Sequence, residues 1–133
     1  MYEWTEEYSV NVSVIDEQHK KLFKMINTYY EKTKQGASRH ALQELLNKLK
    51  DYTDYHFKEE EKYFRAFNYD DADLHIQTHR KLTQKVNTYI DSCNSGDNFD
   101  TNEFCSFLNN WLKVHIKGTD KQFTDCFNQN GLL

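Results

Sequence analysis

Proline is absent from this chain of 133 residues, and glycine occurs only four times. Both residues punctuate helices and mark turns, so their scarcity favours long uninterrupted helices. Cysteine is sparse as well. Cys93, Cys105 and Cys126 are odd in number and follow no metal-finger spacing. They do not read as a disulfide framework, and reduced thiols in a cytoplasmic protein are expected. No run approaches 18 consecutive apolar residues, so no membrane span is expected. The acidic start, Met1 to Glu7, lacks the apolar stretch of a secretory signal. Positive charge is not in excess either: 17 Lys and Arg stand against 21 Asp and Glu, a net charge of −4. That balance lacks the basic footprint of a nucleic-acid binder.

What the chain does have is aromatic surface, with nine Tyr, nine Phe and two Trp. A length of 133 residues predicts one domain, able to bury a real core without cross-links. Residues 1–15 read as an irregular arm, with Trp4, Tyr8, Val10, Val12 and Val14 packing on the rest. The near-alternation of residues 8–14 is a strand signal too isolated to build a sheet. A bundle spans 16–117 and a C-terminal segment, forming a short turn or helix, spans 118–133.

Within the bundle, four stretches repeat the three-four spacing of an amphipathic helix. The first starts at Asp16 as N-cap, carries Ile15, His19, Leu22, Phe23, Ile26, Tyr29 and Tyr30, and ends at Gly36. The second is capped by Ser38 and carries Leu42, Leu45, Leu46, Leu49, Tyr52, His56, Tyr63, Phe64 and Phe67. A turn at 68–71 leads to the third, with Leu74, His75, His79, Leu82, Val86, Tyr89 and Ile90. After a loop at 94–98, Asp100 and Glu103 form a capping box for the fourth, with Phe104, Phe107, Leu108, Trp111, Leu112 and His115. The expected fold is all-α, an up-down-up-down antiparallel four-helix bundle.

The histidines carry the functional signal. Five of the six, His19, His56, His75, His79 and His115, fall on these inward stripes, and each helix contributes at least one; only His40 lies elsewhere. A single core histidine is usually a satisfied structural residue. Five converging on one core would need many internal partners, because an unpaired buried polar group costs ~1–3 kcal/mol. A shared metal site satisfies all of them. His75 and His79 stand at i and i+4, a two-ligand clamp, and His56 with Glu60 repeats that spacing. Asp120 follows His115 by five residues, which turns it ~140° away on a straight helix. A break at Gly118 would bring it back.

Taken together, the segments Asp16-Glu17-Gln18-His19, His56-Phe57-Lys58-Glu59-Glu60, His75-Ile76-Gln77-Thr78-His79 and His115-Ile116-Lys117-Gly118-Thr119-Asp120 resemble the hemerythrin family in its single-domain bacterial form. Tyr8-Ser9-Val10, Ile15 and Trp111-Leu112 extend the likeness over nearly the whole chain. Departures are few: Tyr69-Asp70-Asp71 stands where many relatives carry proline, and Asn11 stands where glycine usually follows Tyr-Ser-Val. Relatives often have Met or Leu near Phe64. The resemblance implies two iron ions. His75, His79 and His115 would hold one, His19 and His56 the other, with Glu60, Asp120 and a solvent-derived oxygen as bridges. The second iron would keep an open position for O2. By their places beside His56 and one turn before His115, Phe57 and Trp111 are candidates to wall it, with ordinary core packing as the alternative for each. Reversible O2 binding for storage, transport or delivery is the implied function, in a monomer; a protein that accepts the O2 is not identified by the sequence.

Donor chemistry agrees with iron, since imidazole and carboxylate suit it and no thiolate set is present. Oxygen-activating bundles use about four carboxylates and paired Glu-x-x-His motifs, which this chain lacks, so a carrier is favoured over an enzyme. Three alternatives compete. A zinc hydrolase would use three histidines and an open position, but would leave His19, His56, Glu60 and Asp120 idle. A di-iron enzyme reducing peroxide or nitric oxide fits the same ligands, and turnover with peroxide would reveal it. An oxygen sensor would need a separate partner for its output.

Overall fold

The computed structural model of the chain describes residues 3–95 and 101–133. Four helices form the bundle: α1 (Ser13–Lys34), α2 (Arg39–Ala66), α3 (Ala72–Asn94) and α4 (Thr101–Val114). A short fifth helix, α5 (Thr124–Gln129), follows. No strand occurs among the described residues. Helix α1 packs against α2 and α4, and α2 against α3. No helix among the described residues is long and apolar enough to cross a membrane.

Local chemistry fixes the turns. Helix α1 ends in a Schellman motif, with Gly36 at φ 73°. The Ala37 N–H bonds to Lys32 O and the Gly36 N–H to Thr33 O, satisfying carbonyls left over by the last turn. Ser38 caps α2 as expected, its hydroxyl accepting the Ala41 N–H at 3.1 Å. The end of α2 repeats the α1 device with asparagine: Asn68 sits at φ 52°, and the Tyr69 N–H reaches Phe64 O at 3.0 Å. Asn11 is also left-handed, at φ 55°. Asparagine tolerates that region better than other side chains bearing a Cβ, so it can stand where glycine is usual.

Several expectations are corrected. Helix α1 starts at Ser13, not Asp16, and its N-cap Val12 makes no side-chain capping bond. Asp16 instead lies in the first turn and clamps the arm: its carboxylate accepts from Ser9 Oγ at 2.6 Å and from the Val10 N–H at 2.9 Å. The arm holds a 3-10 turn at Glu6–Tyr8, and Tyr8, Val10 and Val12 are buried against the bundle. Val14 and Leu74 point out to solvent, at 40% and 67% exposure. The Asp100 capping box and most of the 94–98 loop lie outside the described residues, and Asn94 itself belongs to α3. Gly118 does not break the chain; the turn it occupies is wider, as described below.

Candidate metal centre

The buried faces of the helices aim seven polar side chains at one point in the core. Helix α1 contributes His19 from the stripe Ile15, His19, Leu22 and Ile26. Helix α2 contributes His56 and Glu60 between Leu49 and Phe64, and α3 contributes His75 and His79 before Leu82. His115 begins a five-residue π turn, His115–Thr119, that continues α4. In that turn the Asp120 N–H is shared between His115 O, five residues back, and Ile116 O, four back. The wider, five-residue closure returns Asp120 to the face of His115 without a break. A Cβ at Gly118 would meet nothing within 4 Å and its φ is not positive, so glycine is not needed there.

All seven side chains are buried. His115 Nε2 and His75 Nε2 each lie 2.9 Å from Asp120 Oδ1, and His19 Nε2 lies 3.1 Å from Asp120 Oδ2. Glu60 Oε1 is 3.2 Å from His79 Nε2 and 3.9 Å from His75 Nε2. Its other oxygen is 3.5 Å from His56 Nε2 and 3.8 Å from His19 Nε2. The donors fall into two groups whose atoms lie within 4.8 Å of one another: Glu60, His75, His79, His115 and Asp120, and then His19, His56, Glu60 and Asp120. Both carboxylates belong to both groups.

Electrostatics show what this arrangement lacks. Burial, and then the Asp120 charge, push the Glu60 carboxyl well above its usual range. Burial also pushes Asp120 up, but the neighbouring His115 imidazole overrides it and holds that carboxyl well below the usual range. Burial, with His19 alongside, drives His56 well below an ordinary histidine. His19 Nε2, His79 Nε2 and all four oxygens of Glu60 and Asp120 lack a directed hydrogen bond among the described residues. Lone pairs facing lone pairs in a dry core are costly. Metal cations placed between them would satisfy every one, so the donor set fits a metal centre.

Aromatic rings jacket the cluster. Phe57 stacks on His79 with centroids 3.8 Å apart and planes 4° apart. Trp111 stacks on His115 at 4.3 Å and 14°. Phe57 also borders His56, at 5.8 Å. Both rings line an apolar cavity of about 30 Å3, closed by Leu22, Ile26, Leu49, Thr53, Leu82, Val86, Leu108 and Leu112.

Two partners of the cluster were not read from the sequence. Gln18 Oε1 lies 2.6 Å from His56 Nδ1, and Glu61 Oε2 lies 3.1 Å from His79 Nδ1. Gln18 falls in the stretch before His19, and Glu61 hides in an acidic run, where spacing alone does not tell which carboxylate turns inward.

A family model described as the hemerythrin HHE cation binding domain matches residues 10–126. The chain belongs to the hemerythrin family. It is 28% identical to a bacteriohemerythrin of Clostridium acetobutylicum, over 94% of this chain and 100% of that protein. A hemerythrin-like protein of Naegleria gruberi is 34% identical over 92% of this chain and 90% of its own length. Among solved structures, a wild-type hemerythrin crystal structure superposes with a TM-score of 0.88 at 31% identity, covering 92% of this chain and 95% of that one. The four-helix hemerythrin fold and a metal centre at the buried cluster therefore stand together.

Proposed function

We propose that the chain is a single-domain, monomeric, cytoplasmic di-iron protein that binds O2 reversibly. The observation that carries this reading is the sharing of Glu60 and Asp120 between two otherwise separate sets of imidazoles. His75, His79 and His115 would hold one iron, and His19 and His56 the other, with the two carboxylates bridging. When bound, the iron pair supplies the redox chemistry that takes up and releases O2.

The rest is done by the protein. One imidazole fewer than a symmetric pair of three and three leaves one metal position free for a small ligand. The neighbouring cavity is apolar, so it excludes ions and favours an uncharged diatomic gas. Phe57 and Trp111 hold the ligand rings flat and keep water from the cluster. Gln18 and Glu61 fix the orientation of His56 and His79 through the ring nitrogens that face away from the metals. Only two carboxylates reach the cluster, which favours a carrier over an oxidation catalyst.

Iron quantitation with visible spectroscopy before and after air exposure tests the reading. Two irons per chain and a colour change that reverses when O2 is removed are expected. A single metal per chain, zinc in place of iron, or steady turnover of peroxide would overturn it.

A further inference from the structure

A basic groove runs along α1 and α2 directly behind the metal ligand His56. Its volume is about 770 Å3, and apolar Met25, Leu45 and Tyr52 share its wall with Lys21, Lys24 and Lys48. Glu17 is the one carboxylate in its wall, and it is occupied by Lys20 at 2.9 Å. Lys21 lies over the Tyr52 ring at 4.5 Å. Positive charge is thus concentrated here in a chain whose net charge is −4. On the α1 side the lining runs from Val14 to Thr28, a length of about 20 Å at ~1.5 Å per residue.

Gln18 connects this surface to the interior. It lines the groove, is 6% exposed, and holds His56 Nδ1 at 2.6 Å. One amide and one imidazole therefore separate the groove from the cluster. We propose that the α1–α2 groove docks an acidic one-electron carrier protein, which reduces the oxidised metal pair through Gln18 and His56. The proposal rests on the di-iron reading above.

The occupant is a protein surface for a physical reason. Three lysines follow α1 and one stands on α2, and the Lys20 and Lys21 ammoniums go to separate partners, Glu17 and the Tyr52 ring, instead of meeting as they would around a phosphate. Small, polar, charge-matched contacts are what transient electron-transfer encounters use. Opposite charge raises their encounter rate by ~10–10³-fold at low salt. The reaction balances as two encounters. Each carrier would lose one electron, two ferric ions would become ferrous, and the solvent-derived oxygen that the family resemblance implies would take up one proton from solvent.

The test is stopped-flow reduction of the oxidised holoprotein by a photoreduced acidic ferredoxin, followed in the visible band. Iron is quantified first on the same sample. The K21E/K24E/K48E variant should be reduced at least ~10-fold more slowly, with its salt dependence lost. An uncharged hydroquinone should reduce it as fast as the parent, and O2 binding should be unchanged. The milder K21Q/K24Q/K48Q variant should fall between, which keeps the test open if charge reversal impairs folding. Gln18→Leu should lower the limiting rate without changing the carrier concentration that saturates it, and Gln18→Glu should restore it. Fewer than two irons would overturn the underlying reading. With two irons present, an unchanged ferredoxin rate, equal slowing with hydroquinone, or saturable competition by inorganic phosphate at fixed ionic strength would overturn the docking surface itself.

Discussion

Asp120 Oδ1 stands 2.9 Å from His115 Nε2 because the turn between them closes over five residues. An α turn would carry the carboxylate off this face, and the cluster would lose an oxygen donor shared by both metal groups. The geometry belongs to the π turn and not to the glycine inside it. Gly118→Ala should therefore leave iron content unchanged. It should also stabilise the protein by about 0.5–1 kcal/mol, since glycine loses more backbone freedom than alanine on folding. Thermal melting with metal analysis checks this. A loss of iron would show that the wider turn depends on glycine after all.

Trp111 covers His115, and Phe57 covers His79, as nearly parallel plates. Removing the half-buried Trp111 ring opens the cluster to water. Trp111→Ala should speed conversion of the reduced protein to its ferric form several-fold in air. It should cost about 2 kcal/mol of stability, below the ~3–5 kcal/mol of a fully buried aromatic. The time course of the visible band in air-saturated buffer, set beside urea unfolding, measures both. An unchanged oxidation rate would remove Trp111 from the protective role and leave it as packing.

Much of this architecture was legible in the sequence, for reasons that can be located. Helix α2 reads clearly because Leu46, Leu49, His56 and Phe64 keep one face, and all four are buried. The cluster reads clearly because burying five histidines demands partners. Where local and tertiary forces compete, the sequence was less informative. Asp16 has the chemistry of an N-cap, yet a tertiary contact with Ser9 and Val10 uses its carboxylate and the helix starts earlier. Gly118 has the look of a breaker, yet the turn widens instead. Gln18 and Glu61 carry no mark of their hydrogen-bonding role, because hydrogen bonds between helices leave no periodic trace.

Buried groups give the protein a defined alkaline limit. Burial pushes the Cys105 thiol up to about 11. Burial, with Asp71 nearby, pushes Tyr69 up to about 12, and burial raises Tyr29 as well. Each is a neutral acid whose folded value exceeds its unfolded one. The stability they contribute is complete below the unfolded values and is lost as pH rises through the folded ones. Urea midpoints should hold below pH ~9 and fall from there through about pH 12, with Cys105→Ala flattening the first part of the decline. Cys105 should also resist thiol reagents in the native protein at pH ~8, where burial and protonation both protect it. A Cys105→Ala variant that loses stability with the same slope would assign the decline to other groups.

Glu61 offers the sharpest distinction between holding a metal and tuning one. Its carboxylate touches no donor atom of the cluster, but it accepts from His79 Nδ1 at 3.1 Å and is mostly buried. A negatively charged acceptor fixes the ring tautomer and makes the opposite nitrogen a stronger donor. Glu61→Gln keeps an acceptor of the same shape and removes the charge; Glu61→Leu removes both. If the charge matters, iron should be lost to a chelator ~10-fold faster in the Gln variant and faster still in the Leu variant, with the fold intact by circular dichroism. If only orientation matters, Gln should match the parent and Leu alone should lose iron. Equal retention in all three would mean that packing under the Phe57 plate is enough to hold His79 in place.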